Sequence, residues 1–277
     1  MRKIINILLV IVVLSAAGLL LYPTVSDQIS QYQSARRIYT YNRAAEAIAP
    51  EDHRDMIEAA RAYNASLTPI ALRDVFSESG PDASGEYERL LDPAGDGVMG
   101  VIEIPKIGVR LPIYHGTGDF GLERGVGHMV GTSLPVGGEG THCGLAGHRG
   151  LPSARLFTDL DQIESGDLFY INVLGELLAY QVDRISVVLP HELEYLEVVD
   201  GEDYVTLITC TPYGVNTHRL LVRGSRVNLE DISELLATGD SVEDLPVWKG
   251  TLICAAPVAL AGLLLMLVIR PKKRFMK

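Results

Sequence analysis

The run Thr206-Leu207-Ile208-Thr209-Cys210 ends β-branched sequence on a cysteine. Arg219 follows nine residues later, across the turn-rich loop Thr211-Pro212-Tyr213-Gly214-Val215-Asn216-Thr217-His218. A strand–loop–strand hairpin of this kind brings a thiol and a guanidinium side by side at one end of a sheet. The thiol is a latent nucleophile, and the arginine is a permanent cation able to hold a developing oxyanion. The missing group is a base, and Gly147-His148-Arg149-Gly150 offers one about sixty residues earlier. A nearby cation stabilises the reactive thiolate, while an imidazole can protonate a leaving amine and deprotonate an incoming nucleophile. Together Cys210, His148 and Arg219 point to acyl transfer through a thioester.

Taken singly, each residue also has an ordinary reading: Cys210 as a buried core cysteine, His148 as a solvated loop histidine, Arg219 as a strand-edge ion pair. Spacing alone leaves these open. Cys143, five residues before His148, is a rival nucleophile that reads more simply as a small core residue. His142, Cys143, His148 and Cys210 are soft ligands, but their spacing fits no tetrahedral zinc pattern, so no metal is expected. Gly137, Gly138 and Gly140 lack the Gly-Lys-Ser/Thr ending of a phosphate loop. His53, His115, His128, His191 and His218 read as structural or solvated.

These residues must be held by the elements around them, and the chain ends fix their compartment. Ile4 to Leu21 is an uncharged apolar run preceded by Arg2 and Lys3. Thr251 to Ile269 is a second, followed by Arg270, Lys272, Lys273, Arg274 and Lys277. Each is close to the roughly 20 residues a membrane-spanning helix needs. Basic residues flank the outer end of both, which places both termini in the cytoplasm and the intervening domain outside the cell membrane. Trp248 and Lys249 fit an interfacial position at the second crossing. The rival for the first run is a signal peptide cleaved near Ser15-Ala16-Ala17; the apolar run continues past those residues, which favours a retained anchor.

Setting the seven basic residues of the two tails apart from a net charge of −11 leaves −18 for the external part. That argues against a nucleic-acid partner, which needs a basic face. It is compatible with a lysine-bearing substrate. Of the three cysteines, Cys254 lies in the second apolar run, so Cys143 and Cys210 remain outside. A domain of this size buries a core without disulfides.

Residues 23–68 read as helical, with Ser26 and Asp27 as possible caps and Pro50, Glu51 and Asp52 suited to a first helical turn. Residues 69–98 are broken by Pro69, Gly80, Pro81, Gly85, Pro93, Gly95 and Gly97, the composition of a functional loop or linker. From Met99 the pattern is all-β. Strands are expected at 101–104, 109–113, 142–147, 168–173, 177–188, 204–210 and 219–227, with short helices near 120–124 and 153–160. Short strands at such spacing form a closed barrel or a sandwich.

At these positions the chain resembles the sortase family. Thr206-Leu-Ile-Thr-Cys210 is similar to the signature Thr-Leu-x-Thr-Cys, Arg219 stands where sortases place their arginine, and Gly147-His148 resembles the sortase histidine. The resemblance is closer still to class C, the pilin-polymerising sortases. It runs from Met99 to Val227, through Leu111-Pro-Ile-Tyr-His-Gly-Thr117, Gly127-His-Met-Val-Gly-Thr-Ser-Leu-Pro135 and Cys210 to Leu220.

The resemblance implies a mainly β fold: an eight-stranded sortase barrel with N-terminal helices and short inserted helices, flanked by two transmembrane helices. The implied organisation is an anchor at 1–22, helices at 23–68, a lid loop at 69–98 and a catalytic barrel at 99–230. A linker at 231–250, a second membrane helix at 251–270 and a basic cytoplasmic tail at 271–277 follow. The implied reaction is attack by Cys210 on the Thr–Gly bond of a Leu-Pro-x-Thr-Gly-like sorting signal, with His148 as general acid and base and Arg219 holding the oxyanion or substrate. The thioester would pass to a lysine amine of a second pilin, with no cofactor. Class C lids carry Asp-Pro-aromatic; Asp74-Val75-Phe76 is the match here, with Val75 where proline is usual, whereas Asp92-Pro93-Ala94 lacks the ring. Two other readings are wall attachment to a cell-wall peptide amine and a non-catalytic surface protein on two anchors.

Overall fold

The computed structural model describes residues 2–67, 74–76, 85–192 and 194–230. The expected linker, second membrane helix and basic tail lie outside the described residues. Helix α1 spans Arg2–Glu46 and helix α2 spans Pro50–Ser66. Strands follow as β1 (Val98–Ile104), β2 (Val109–Tyr114), β3 (Val126–His128), β4 (Thr141–Ala146), β5 (Leu168–Val173), β6 (Glu176–Val188), β7 (Asp203–Thr211) and β8 (His218–Val227), with the short helix α3 (Asp119–Leu122) between β2 and β3. They close into a barrel in the order β1-β2-β3-β4-β7-β8-β6-β5, with β5 returning to β1.

Two of the pairings are parallel, β2 with β3 and β4 with β7. The second matters most, because it lays the strand leading to His148 beside the strand leading to Cys210. Both strands are buried along almost their whole length. Side chains alternate across a strand, and the two faces go to two different cores. Cys143, Leu145, Val205 and Leu207 belong to the main core inside the barrel, whereas Ala146 and Ile208 belong to a second apolar cluster. A strand dressed on both faces reads as a continuous apolar run, which is how 204–210 reads.

The N-terminal region differs from expectation at one junction. The apolar run and the first helix of the external part are one unbroken α1, with Pro23 inside it. Ser26 and Asp27 are therefore mid-helix and cap nothing. Their side chains instead tie α1 to the loop after His148: Ser26 Oγ donates to the Pro152 carbonyl at 2.9 Å, and Asp27 Oδ1 accepts from the Arg155 amide at 2.9 Å. Further along, the buried Tyr41 hydroxyl donates to the Met99 carbonyl and accepts from the Leu174 amide, both at 2.9 Å. The first part of α1, with Ile4, Ile5, Ile7 and Leu8 largely exposed, is long and apolar enough to cross a membrane. On α2, Asn64 exchanges two hydrogen bonds with the backbone of Leu134, and Ile57 and Ala60 are buried.

Two further corrections concern short elements. The expected helix at 153–160 is a set of turns, with a 3-10 turn only at Leu160–Gln162. The three-residue β3 was not among the expected strands. Asp92 closes a tight turn by accepting the amides of Asp96 and Gly97 at 3.1 and 3.0 Å, a structural task.

Candidate active site

Cys210 and Arg219 are direct cross-strand partners on β7 and β8. Such partners have their Cβ atoms roughly 4.5–5.5 Å apart. The same register sets Ile208 opposite Leu221 and, on β6, Val188 opposite Arg219. Ile208, Leu221 and Val188 all belong to the second apolar cluster, so the period of two places Cys210 and Arg219 on that cluster's face. Both are buried, at 8 % and 7 % exposure.

His148 reaches the same place from β4. The β4–β7 ladder ends at Ala146↔Ile208, two residues before His148 on one strand and two before Cys210 on the other. Past the ladder the Gly147 amide donates to the Ile208 carbonyl at 3.0 Å, and Thr209 Oγ donates to the Gly147 carbonyl at 2.7 Å. The His148 carbonyl accepts from the Phe157 amide at 3.1 Å. Gly147 is required here for space: a Cβ would lie 2.6–3.1 Å from the Phe157 ring.

The segment Asp74–Phe76 contacts two of these three residues, Arg219 and His148. Asp74 grips Arg219 with both carboxylate oxygens, accepting from Nε at 2.8 Å and Nη2 at 2.6 Å. The Phe76 ring lies 5.3 Å from the His148 ring, centroid to centroid, and 5.2 Å from the Arg219 guanidinium carbon. Arg219 Nη1 is held by the carbonyls of Asn216 and His218 at 3.1 and 3.0 Å. Val75 is buried in the second cluster with Leu122, Met129, Ala146, Val188, Leu196, Ile208 and Leu221. Sequence reading noted Val75 only as a missing proline. A lone β-branched residue in a segment broken by Gly and Pro has no periodicity that marks it as buried.

The protonation states follow from this enclosure. Burial raises the Cys210 thiol above its ordinary value; Arg219 opposes that and Asp74 reinforces it. Burial lowers the His148 imidazole, against the carboxylates of Asp119 and Glu123, which sequence reading missed. Burial weakens the hold of Arg219 on its proton, but its hydrogen bonds to Asp74 and the nearby charges of Cys210 and Asp74 together outweigh burial, so the proton is held more tightly. A raised thiol beside a lowered imidazole is the neutral pair, a resting state. Displacing Asp74 would remove the carboxylate that opposes ionisation and free two guanidinium donors. The arrangement can then attack a carbonyl, hold its oxyanion and pass a proton to a leaving amine.

The remaining sequence candidates lie elsewhere. Cys143 faces the barrel interior, where burial raises its thiol well above the ordinary value. His142 is buried between the Glu197 carbonyl at 2.9 Å and Thr206 Oγ at 2.8 Å. His128 is fixed by the Tyr87 hydroxyl and the Ser133 carbonyl at 2.8 and 2.9 Å, His115 by the carbonyls of Gly97 and Leu90, and His53 by that of Leu174. Among the described residues, no group of three or more His, Cys, Asp or Glu side chains is placed to hold a metal ion.

Comparison with known proteins gives the same region a family. The sortase domain family matches residues 102–227. Sortase A of Streptococcus agalactiae is 31 % identical over 149 residues, covering 52 % of this chain and 58 % of that protein. This chain thus spans less than two thirds of that relative's length. The crystal structure of sortase C-1 from Actinomyces oris is 48 % identical, covers 65 % of this chain and 99 % of its own, and superposes with a TM-score of 0.62. A pilus-related sortase C of Group B Streptococcus is 42 % identical, with 69 % and 97 % covered and a TM-score of 0.65.

Proposed function

The chain belongs to the sortase family of cysteine transpeptidases, in its class C, and we propose that it polymerises pilin subunits at the outer face of the cell membrane. In this reading the Cys210 thiolate attacks the threonine carbonyl of a Leu-Pro-x-Thr-Gly-like sorting signal. Arg219 holds the oxyanion and His148 donates the proton that lets the glycine amine leave. The Cys210 thioester is then attacked by a lysine amine of a second pilin. An isopeptide bond forms, the carbon–sulfur bond breaks, and the proton lost by the amine returns through His148. The reaction needs no cofactor.

One observation carries the reading: a cross-strand Cys210–Arg219 pair and the His148 loop lie together beneath Asp74 and Phe76. An enzyme that must prefer a protein amine to water gains from a thiol kept covered until substrate displaces the cover. Asp74, Val75 and Phe76 form that lid, and Val75 plugs the apolar site beneath it. The likeness to a pilus-related sortase C supports a pilin as substrate. In topology, α1 crosses the membrane near Ile4–Leu21 and the apolar sequence of Thr251 to Ile269 returns, which leaves both termini cytoplasmic.

The test is acceptor competition. The full chain in detergent micelles, a sorting-signal peptide, a lysine-bearing pilin-like peptide and an amine that mimics a cell-wall peptide are mixed, and products are resolved by mass. Isopeptide product formed in excess on the lysine supports pilin polymerisation. Transfer to the wall-type amine alone would replace it with wall attachment, and release of free acid alone would leave a hydrolase.

A further inference from the structure

The β4–β7 ladder stops two residues short of both His148 and Cys210, so ladder hydrogen bonds no longer fix the two side chains relative to one another. Two bonds continue the connection, Gly147 to Ile208 and Thr209 to Gly147. A third lies just past the reacting groups. Arg149, the residue after His148, donates from Nη1 to Oγ of Thr211, the residue after Cys210, at 3.3 Å. Its other arm, Nη2, is paired with Asp161, and its guanidinium carbon lies 5.8 Å from the centre of the Tyr213 ring. The Gly150 backbone also packs on the Tyr213 ring, where a Cβ would lie 3.1 Å from Cε2.

The chemistry of this arginine is unlike that of a surface ion pair. Its side chain is only 8 % exposed although it stands in a loop, while its partner Asp161 is 48 % exposed. Its Nε is buried without a hydrogen-bond partner. A buried charge with an unused donor is unfavourable in itself. An arginine serving only to hold Asp161 could lie on the surface with all its donors in water. Its forked guanidinium instead spans two loops with one planar group, a task that lysine cannot perform.

We infer that Arg149 is a positioning residue: by clamping Thr211, Asp161 and Tyr213 together it holds His148 in line with Cys210 for proton transfer. The inference rests on the acyl-transfer reading above. Proton relay depends on geometry, and a displacement of about 1 Å in a reacting group can lower a rate by roughly 100-fold.

The test uses the full chain with Phe76→Ala, so that lid opening does not limit the rate, and compares Arg149→Gln, Arg149→Lys, Thr211→Val and Arg149→Gln/Thr211→Val. Peptide acylation is followed by rapid quench, alkylation of Cys210 by iodoacetamide in parallel, and Tm for each variant. Arg149→Gln is expected to lower the limiting acylation rate by about 10- to 100-fold with less than about a twofold change in KM. Alkylation, which needs no proton from His148, is expected to stay within about threefold. Arg149→Lys should fall between, keeping the charge and losing the fork.

Thr211→Val should lose about threefold or more alone and nothing further in the Arg149→Gln background, because one contact cannot be removed twice. If Arg149→Gln does not fold, Thr211→Val alone decides, and an unchanged acylation rate overturns the inference. It is equally overturned by a lowered Tm with unchanged acylation, by additive losses in the double variant, or by parallel losses of acylation and alkylation. If the parent forms no acyl adduct, the functional reading fails and this inference falls with it. If the parent acylates and Arg149→Gln acylates equally fast, only this inference fails.

Discussion

Replacing Asp74 by asparagine separates the two ways in which the proposed lid would restrain the thiol. The carboxylate makes two charged hydrogen bonds to Arg219, at 2.8 and 2.6 Å, with the partners' side chains only 20 % and 9 % exposed. Hydrogen bonds to charged groups contribute about 1.5–3 kcal/mol, so the substitution should shift the closed-to-open ratio by about 10- to 150-fold. Val75 stays buried and Phe76 stays beside Arg219, so the lid is loosened and its apolar part is kept. The second effect is electrostatic. Asp74 raises the Cys210 thiol, so the neutral asparagine lets its ionisation move to lower pH. Alkylation of Cys210 by iodoacetamide, followed against pH, resolves the two: the high-pH plateau reports the open fraction and the midpoint reports the thiol. The expected result is a plateau raised by about 10- to 150-fold and a midpoint shifted downward. Equal plateaus would show that Asp74 does not hold the lid, and an upward shift would refute the electrostatic argument.

Other outcomes follow from the same contacts. Cys143→Ala should leave total thiol alkylation in folded protein unchanged, because the Cys143 thiol is buried in the barrel and raised well above its ordinary value; thiol counting by mass before and after denaturation checks this. Thr209→Val removes the buried bond to the Gly147 carbonyl and should cost roughly 1–3 kcal/mol by denaturant titration, with slower peptide acylation. Buried His128 is lowered from 6.5 to about 4 by burial, so the unfolded chain binds its proton first as pH falls. Stability from this group is whole above pH 6.5 and is lost as pH drops toward about 4, so the Tm of His128→Gln should vary less across that window.

Much of the site was legible because its chemistry is local in sequence. Thr206 to Cys210 reads as a strand, Arg219 follows one hairpin later, and hairpin geometry made them partners. His148 was harder. Its approach to Cys210 depends on a parallel β4–β7 pairing between segments about sixty residues apart, which no periodicity encodes; the family resemblance supplied it. The placement of Asp74 and Phe76 beside Arg219 and His148 was suggested only by that resemblance, and the burial of Val75 had no signal, since a single apolar residue in a broken segment has no period. Ser26 and Asp27 were misread because both are residue types typical of helix caps; α1 runs through both, and their side chains serve tertiary contacts with Pro152 and Arg155. The three-residue β3 is too short to show alternation, and it closes the barrel through its neighbours' registers.

The central claim, that Cys210 carries the acyl group, is tested most directly by intact-mass spectrometry of the full chain in detergent micelles with a Leu-Pro-x-Thr-Gly peptide. Wild type, Phe76→Ala, Cys143→Ala and Cys210→Ala are run in parallel. The account predicts a covalent adduct lacking the glycine fragment in the first three, strongest in Phe76→Ala, and none in Cys210→Ala. An adduct that survives Cys210→Ala, or no adduct in any of the four, would contradict it.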